Sequence, residues 1–77
     1  MTLTVKPERV SAPEIIQIQA AIRRDPGYAK IYAIFDPDAA GWLEVLAQAT
    51  DLSAITVWLR RDEDSAPWEV VAVNDGW

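Results

Sequence analysis

The chain contains no cysteine and no histidine among its 77 residues. Without cysteine, the fold has no disulfide and no thiolate zinc site. Without histidine, it lacks the commonest general base and the commonest metal ligand. Glycine is sparse as well, and its three copies are isolated, so the chain has no glycine-rich phosphate loop. These absences argue against catalysis, and we expect neither an enzyme nor a bound metal or cofactor.

Long apolar runs and blocks of basic residues are also missing. No stretch approaches the roughly 20 consecutive apolar residues of a membrane span, and residues 1–10 lack the basic-then-apolar pattern of a signal peptide. The net charge is −5, and the seven basic residues are scattered, which argues against a nucleic-acid or membrane partner. We expect one cytoplasmic domain spanning residues 1–77, whose negative charge maintains solubility or complements a basic protein.

One helix is well marked in the sequence. Ser11 and Glu14 have the spacing of a capping box, and isoleucines follow at helical intervals. Asp25-Pro26-Gly27 then ends the pattern, because the residue before proline is pushed out of the α region. The sequence predicts a helix over residues 12–24.

Short segments rich in β-branched or alternating apolar residues predict strands. They span residues 2–6, 28–35, 54–61 and 67–73. Residues 39–50 fit a helix by propensity, but they also alternate as a strand does, and the short links on either side favour the strand. The strand assignment gives the order β-α-β-β-β-β, an α+β fold with one helix packed on a four- to five-stranded antiparallel sheet. The helical alternative gives a β-α-β-α-β-β sandwich.

Residues 67–73 read PWEVVAV, a tryptophan ahead of an apolar run. Together with the element order, this ending resembles the cystatin-like fold, including the small bacterial domains grouped with nuclear-transport-factor-2-like proteins. The resemblance implies one helix packed across an antiparallel sheet. The Gln-Val-Val-Ala-Gly-type inhibitory loop of protease-inhibiting cystatins has no counterpart here, so the resemblance does not imply thiol-protease inhibition.

A single helix covers only one face of such a sheet. Strict alternation along the strands predicts an inward set that packs on the isoleucines of the helix: Ile31, Ala33, Phe35, Leu43, Val45, Ala47, Ile55, Val57 and Leu59. The opposite face would carry aromatic and aliphatic side chains, which are typical of protein interfaces when exposed. The predicted interface residues are Tyr28, Tyr32, Ile34, Leu46, Trp58 and Trp68, with Val71 as an alternative to Trp68. The competing interpretation is that these rings curl into the core of a twisted sheet.

Two acidic clusters are predicted to have structural roles and not to bind metal ions. Asp36-Pro37-Asp38 has the composition of a turn, and two carboxylates without a third ligand hold calcium or magnesium poorly. The run at positions 62–64, beside Arg60 and Arg61, predicts a solvated loop with local ion pairs.

The sequence therefore predicts a non-catalytic protein-interaction module or inhibitor, acting on a protein partner or on a second copy of itself as a homodimer. Immunity proteins and phage-encoded inhibitors of host defence, including anti-CRISPR proteins, share this size and charge, an analogy of build alone. The alternative is a small-ligand-binding domain with a pocket between helix and sheet. A carboxylate-dependent enzyme is the third hypothesis.

Overall fold

The computed structural model describes residues 7–63 and 65–77. The strand predicted over residues 2–6 and the last residue of the acidic run at 62–64 lie outside them. Helix α1 comprises Ala12–Arg24, as predicted. The Glu14 carboxylate accepts the backbone N–H of Ser11 at 3.1 Å, so the capping interaction fixes the start of the helix where the sequence indicated.

Four strands follow the helix. They are β1 (Lys30–Ile34), β2 (Leu43–Gln48), β3 (Ala54–Arg60) and β4 (Glu69–Asp75). Neighbouring strands pair antiparallel in the order β1-β2-β3-β4. The described residues therefore form an α+β fold with one helix and an open, four-stranded antiparallel sheet.

The ambiguous segment at 39–50 contains strand β2. Leu43, Val45 and Ala47 are fully buried at 0% exposure, whereas Glu44 and Leu46 between them are half-buried. This period of two is the signature of a strand with one face in the core. The helical alternative for this segment, and the β-α-β-α-β-β sandwich that depends on it, are wrong.

The core lies between α1 and one face of the sheet. Its largest fully buried side chains are Ile18, Ile22, Leu43, Val45, Val57 and Leu59. Each such side chain stabilises the fold by about 1.5–3 kcal/mol through burial. They occupy the space between helix and sheet in which the ligand-binding alternative would place its pocket.

A β-bulge in β1 changes which of its side chains reach the core. The register shifts at Tyr32, so that Ile34 lies opposite Val45 on the helix side. Ile34 is 6% exposed and belongs to the core. Ala33 and Phe35, predicted to point inward, lie on the opposite face instead. Strict alternation was wrong here because a bulge adds one residue to the strand.

Candidate interaction surface

The side of the sheet turned away from α1 is called the reverse face here. Its side chains alternate with the core residues along each strand, and their positions follow from the strand register. The apolar and aromatic members on the strands and at their ends are Tyr32, Ala33, Phe35, Leu46, Ala54, Trp58 and Ala72. Tyr32, Phe35, Leu46 and Trp58 are half-buried. Within residues 7–63 and 65–77, no second layer of helix or sheet covers this face.

Trp77 folds back onto the reverse face. Its indole Nε1 donates to the backbone carbonyls of Ile55 at 2.8 Å and Ala47 at 3.2 Å. Its ring meets Tyr32 edge-on, with centroids 5.0 Å apart and an interplanar angle of 74°. Gly76 has a φ of +92°, a conformation that glycine adopts readily, and this lets the chain turn back after β4. Trp77 nevertheless remains 65% exposed, so a large aromatic surface lies open on this face.

Thr56 anchors the same turn. Its hydroxyl donates to the Gly76 carbonyl at 2.7 Å, and Thr56 is only 4% exposed. A buried hydroxyl needs such a partner, so this bond helps to hold Gly76 and Trp77 against the sheet. No pattern in the sequence predicts that Trp77 docks on the sheet, because its contacts are with residues distant along the chain.

The charges on the reverse face cancel. Among the described residues, the register places two cations and two anions there, namely Lys30, Arg60, Glu44 and Glu69. Since the whole chain has a net charge of −5, its negative excess lies elsewhere. This face therefore presents aromatic surface without a net charge that would repel another acidic protein.

Three of the six predicted interface residues lie on the reverse face, namely Tyr32, Leu46 and Trp58. The placement of the other three was wrong. Ile34 and Trp68 belong to the core at 6% and 3% exposure, and Tyr28 packs against that core. The bulge accounts for Ile34. Trp68 and Tyr28 lie just before the first residues of β4 and β1, where strand alternation does not determine the direction of a side chain.

Trp68 is buried beneath an ion pair. The guanidinium carbon of Arg61 lies 4.5 Å from the centroid of the Trp68 ring, and Arg61 Nη1 donates to Glu14 Oε1 at 2.6 Å. The hydrogen bonds from Arg61 and from the Ser11 backbone lower the pKa of Glu14. Arg61 thus ties the end of β3 to the start of α1, and within the described residues its ion pair is with Glu14 and not with Asp62 or Glu63.

Both aspartates of the first acidic cluster accept hydrogen bonds from backbone N–H groups, and Asp38 forms the predicted turn. Asp38 Oδ1 accepts the backbone N–H groups of Ala40 and Trp42, each at 2.9 Å. The Asp36 carboxylate accepts those of Glu8 and Arg9, at 3.1 and 2.7 Å. The bonds of Asp38 are local, which is the usual role of aspartate in turns, whereas those of Asp36 join the segment before α1 to the end of β1. In the part of the chain that the structure describes, no group of three or more acidic side chains could hold a metal ion.

Two of the cavities formed by the described residues lie at the periphery of the domain. One, of about 310 Å³, mixes Arg9 and Arg61 with the acidic Asp38, Asp62 and Glu63. The other, of about 330 Å³, lies between α1 and the start of β4. The lining of neither cavity contains a nucleophile paired with a base. The first cavity has both positive and negative side chains, so its charge does not favour one class of ligand.

Comparisons with protein-family models, curated proteins and solved structures find no match to this chain. The cystatin-like resemblance therefore stays a prediction. No helix within the described residues is both long and apolar enough to cross a membrane. The candidate site is thus defined by the geometry of the chain itself.

Proposed function

We propose that this chain is a non-catalytic protein-interaction module whose contact surface is the reverse face. We further propose that the partner on this face is a second copy of the chain. The observation that carries the proposal is the row of half-buried rings on an uncovered sheet, beside Trp77 at 65% exposure. Tyrosine and tryptophan are the side chains that contribute most to binding when a partner buries them. An inhibitor of the immunity or anti-CRISPR type would use the same surface against a foreign protein.

The balance of charge on the reverse face supports self-association. Two acidic chains repel each other at most orientations, but a face-to-face pair brings together surfaces whose charges cancel. Such a pair is isologous and closes on itself, as the commonest oligomers do. The four strands, about 4.8 Å apart and rising about 3.3 Å per residue, give a projected face of about 400 Å². That is small beside the roughly 800 Å² per partner of a standard interface, so the dimer should be weak and concentration-dependent.

Light scattering coupled to size-exclusion chromatography, over a wide concentration series, tests the proposal. The average mass should rise from monomer toward dimer, and Trp58→Thr should keep the chain monomeric while retaining a good strand residue. Ile16→Gln is the matched control, because Ile16 is 66% exposed on the helix and lies away from the reverse face. A dimer that Trp58→Thr leaves intact would refute this contact surface. A chain that stays monomeric throughout would refute self-association.

A further inference from the structure

Strand β4 forms an edge of the sheet. Within the described residues it pairs with β3 and with no other strand. The Gly76 N–H donates to the Ala54 carbonyl at 2.8 Å, so these two residues form a hydrogen-bonded pair. Because hydrogen-bonded and non-hydrogen-bonded pairs alternate along an antiparallel ladder, the backbone groups of Val73 and Asp75 point away from β3. Their N–H and C=O groups are directed toward the outer edge.

This edge has two of the usual protections against pairing, a bulge and charged ends, but it lacks two others. Natural edge strands are commonly blocked by lysine or proline, and β4 contains neither. Val71 and Val73 are 46% and 45% exposed. A bulge at Val71, where the register against β3 shifts, confines the regular ladder to residues 72–75. A short but accessible template for strand addition remains.

A groove runs beside the start of this edge. It is the cavity of about 330 Å³ between α1 and β4, and its lining includes Ala21, Arg24 and Asp25 from the end of the helix and Glu69 and Val70 from the strand. The helix approaches β4 closely here, since Ala21 has only a methyl group. A strand added to β4 would therefore direct side chains at one end into this groove.

The charges around the edge select the partner. Glu69 and Asp75 stand exposed at the two ends of β4, and Asp25 adds a third carboxylate in the groove. Two cations lie nearby, Arg24 in the groove and Arg60 opposite Glu69, so carboxylates outnumber cations by three to two. A second copy of β4 would bring Glu69 and Asp75 of both chains to one seam, between molecules that each carry −5. Like charges across a strand pair are destabilising, whereas opposite charges stabilise. The edge therefore favours a basic strand over its own copy.

We propose that the outer edge of β4 binds an extended peptide segment by strand addition, with an aliphatic residue beside Val73 and lysine or arginine beside Glu69 and Asp75. In this mode of recognition, main-chain hydrogen bonds supply affinity and the flanking side chains supply specificity. The surface shares only Glu69 with the reverse face and involves none of its rings, so the proposal goes beyond the function above and does not depend on it.

The test uses the full chain, labelled with ¹⁵N, and the capped peptide Lys-Thr-Val-Thr-Val-Lys as probe. Binding should shift the amide resonances of Val73 and Asp75 and slow their hydrogen exchange. The peptide Glu-Thr-Val-Thr-Val-Glu should bind about tenfold more weakly at low salt, since two attractive charge contacts become repulsive.

Two variants test whether the peptide binds at β4. Val73→Pro removes an N–H that points away from β3, so the ladder keeps its bonds while peptide binding is lost. Glu69→Lys combined with Asp75→Lys should reverse the preference between the two peptides. Asp62→Lys combined with Glu63→Lys is the matched control, with the same change of charge in the loop, and should leave the preference unchanged.

Three results would each overturn the proposal: no shift with either peptide, unchanged binding by Val73→Pro, or slow exchange of the Val73 and Asp75 amides in the free chain. The last result would show that the chain itself or a second copy already occupies the edge. None of these readouts involves Trp58, so failure here is distinguishable from failure of the reverse-face proposal.

Discussion

Arg61 joins three parts of the fold, and its removal has a calculable effect. Its guanidinium donates to Glu14 at 2.6 Å and lies 4.5 Å from the ring centroid of Trp68. The two side chains of the ion pair are 20% and 23% exposed, so the pair is partly screened and contributes up to about 1 kcal/mol. The contact with Trp68 adds about 0.5–1 kcal/mol. Arg61→Met keeps the apolar stem, and we expect it to destabilise the domain by about 1.5 kcal/mol.

Urea and thermal unfolding measure this loss. A loss of about 1.5 kcal/mol corresponds to a fall in Tm of about 6–12 °C for a domain of this size. Glu14→Gln removes the charge but keeps an oxygen that can accept the Ser11 N–H, so the capping interaction survives. A double-mutant cycle between these two substitutions isolates the ion pair, and we expect a coupling free energy of about 1 kcal/mol.

Two measurements test the structural role of Arg61. The cycle must show coupling, because purely additive losses would mean that the two side chains do not interact in solution. Arg61→Met must also change the near-ultraviolet circular dichroism of the tryptophans, since it removes the cation that covers Trp68. A loss below about 0.3 kcal/mol, within the range of ordinary surface substitutions, would refute the structural role assigned to Arg61.

Two further predictions concern stability. The pKa of Glu14 is lowered in the fold from its ordinary 4.5, so the unfolded chain takes up the proton first as the pH falls. The stabilisation from Glu14 is therefore present above about pH 4.5 and lost below it, and Glu14→Gln should remove this component from the pH dependence of the urea midpoint. Leu59→Ala should cost about 2–4 kcal/mol, because Leu59 is fully buried. The same change at Leu52, 68% exposed, should cost less than about 0.5 kcal/mol in the same urea measurement.

The helix was predictable because its signals are local. Ser11 and Glu14 specify the start of α1, and Asp25-Pro26 specifies its end, with no need for tertiary information. Strand β2 was harder, since residues 39–50 satisfy both periodicities and only the lengths of the links distinguished them. In the structure the decisive fact is tertiary, because Leu43, Val45 and Ala47 meet the helix and the neighbouring strands together.

The faces of β1 were not predictable from alternation. Residues 28–35 are apolar on both faces, so the pattern carries no mark of the extra residue at Tyr32. The bulge becomes visible only in the pairing with β2, and it moves Ile34 to the core and Phe35 to the reverse face. Tyr32 was therefore placed on the correct face of the sheet, while the identity of its neighbours depended on a register that one strand alone does not contain.

The positions of Trp68 and Trp77 were also not predictable from the local sequence. Trp68 was assigned to an open surface, yet Arg61 covers it and leaves it 3% exposed. Trp77 was left unassigned, yet it hydrogen-bonds to two strands and pairs with Tyr32. Both outcomes depend on contacts with residues distant along the chain, and no local pattern encodes them.

The distribution of charge gives the two proposed surfaces opposite responses to salt. The reverse face is balanced, so salt mainly screens the repulsion between two chains that each carry −5, and association there should hold or strengthen as ionic strength rises. The β4 edge uses Glu69 and Asp75 to attract a basic strand, and screening over a Debye length of about 8–10 Å weakens that attraction. If both surfaces respond in the same direction, the separation of roles between an aromatic face and an acidic edge is wrong, even if each surface binds something.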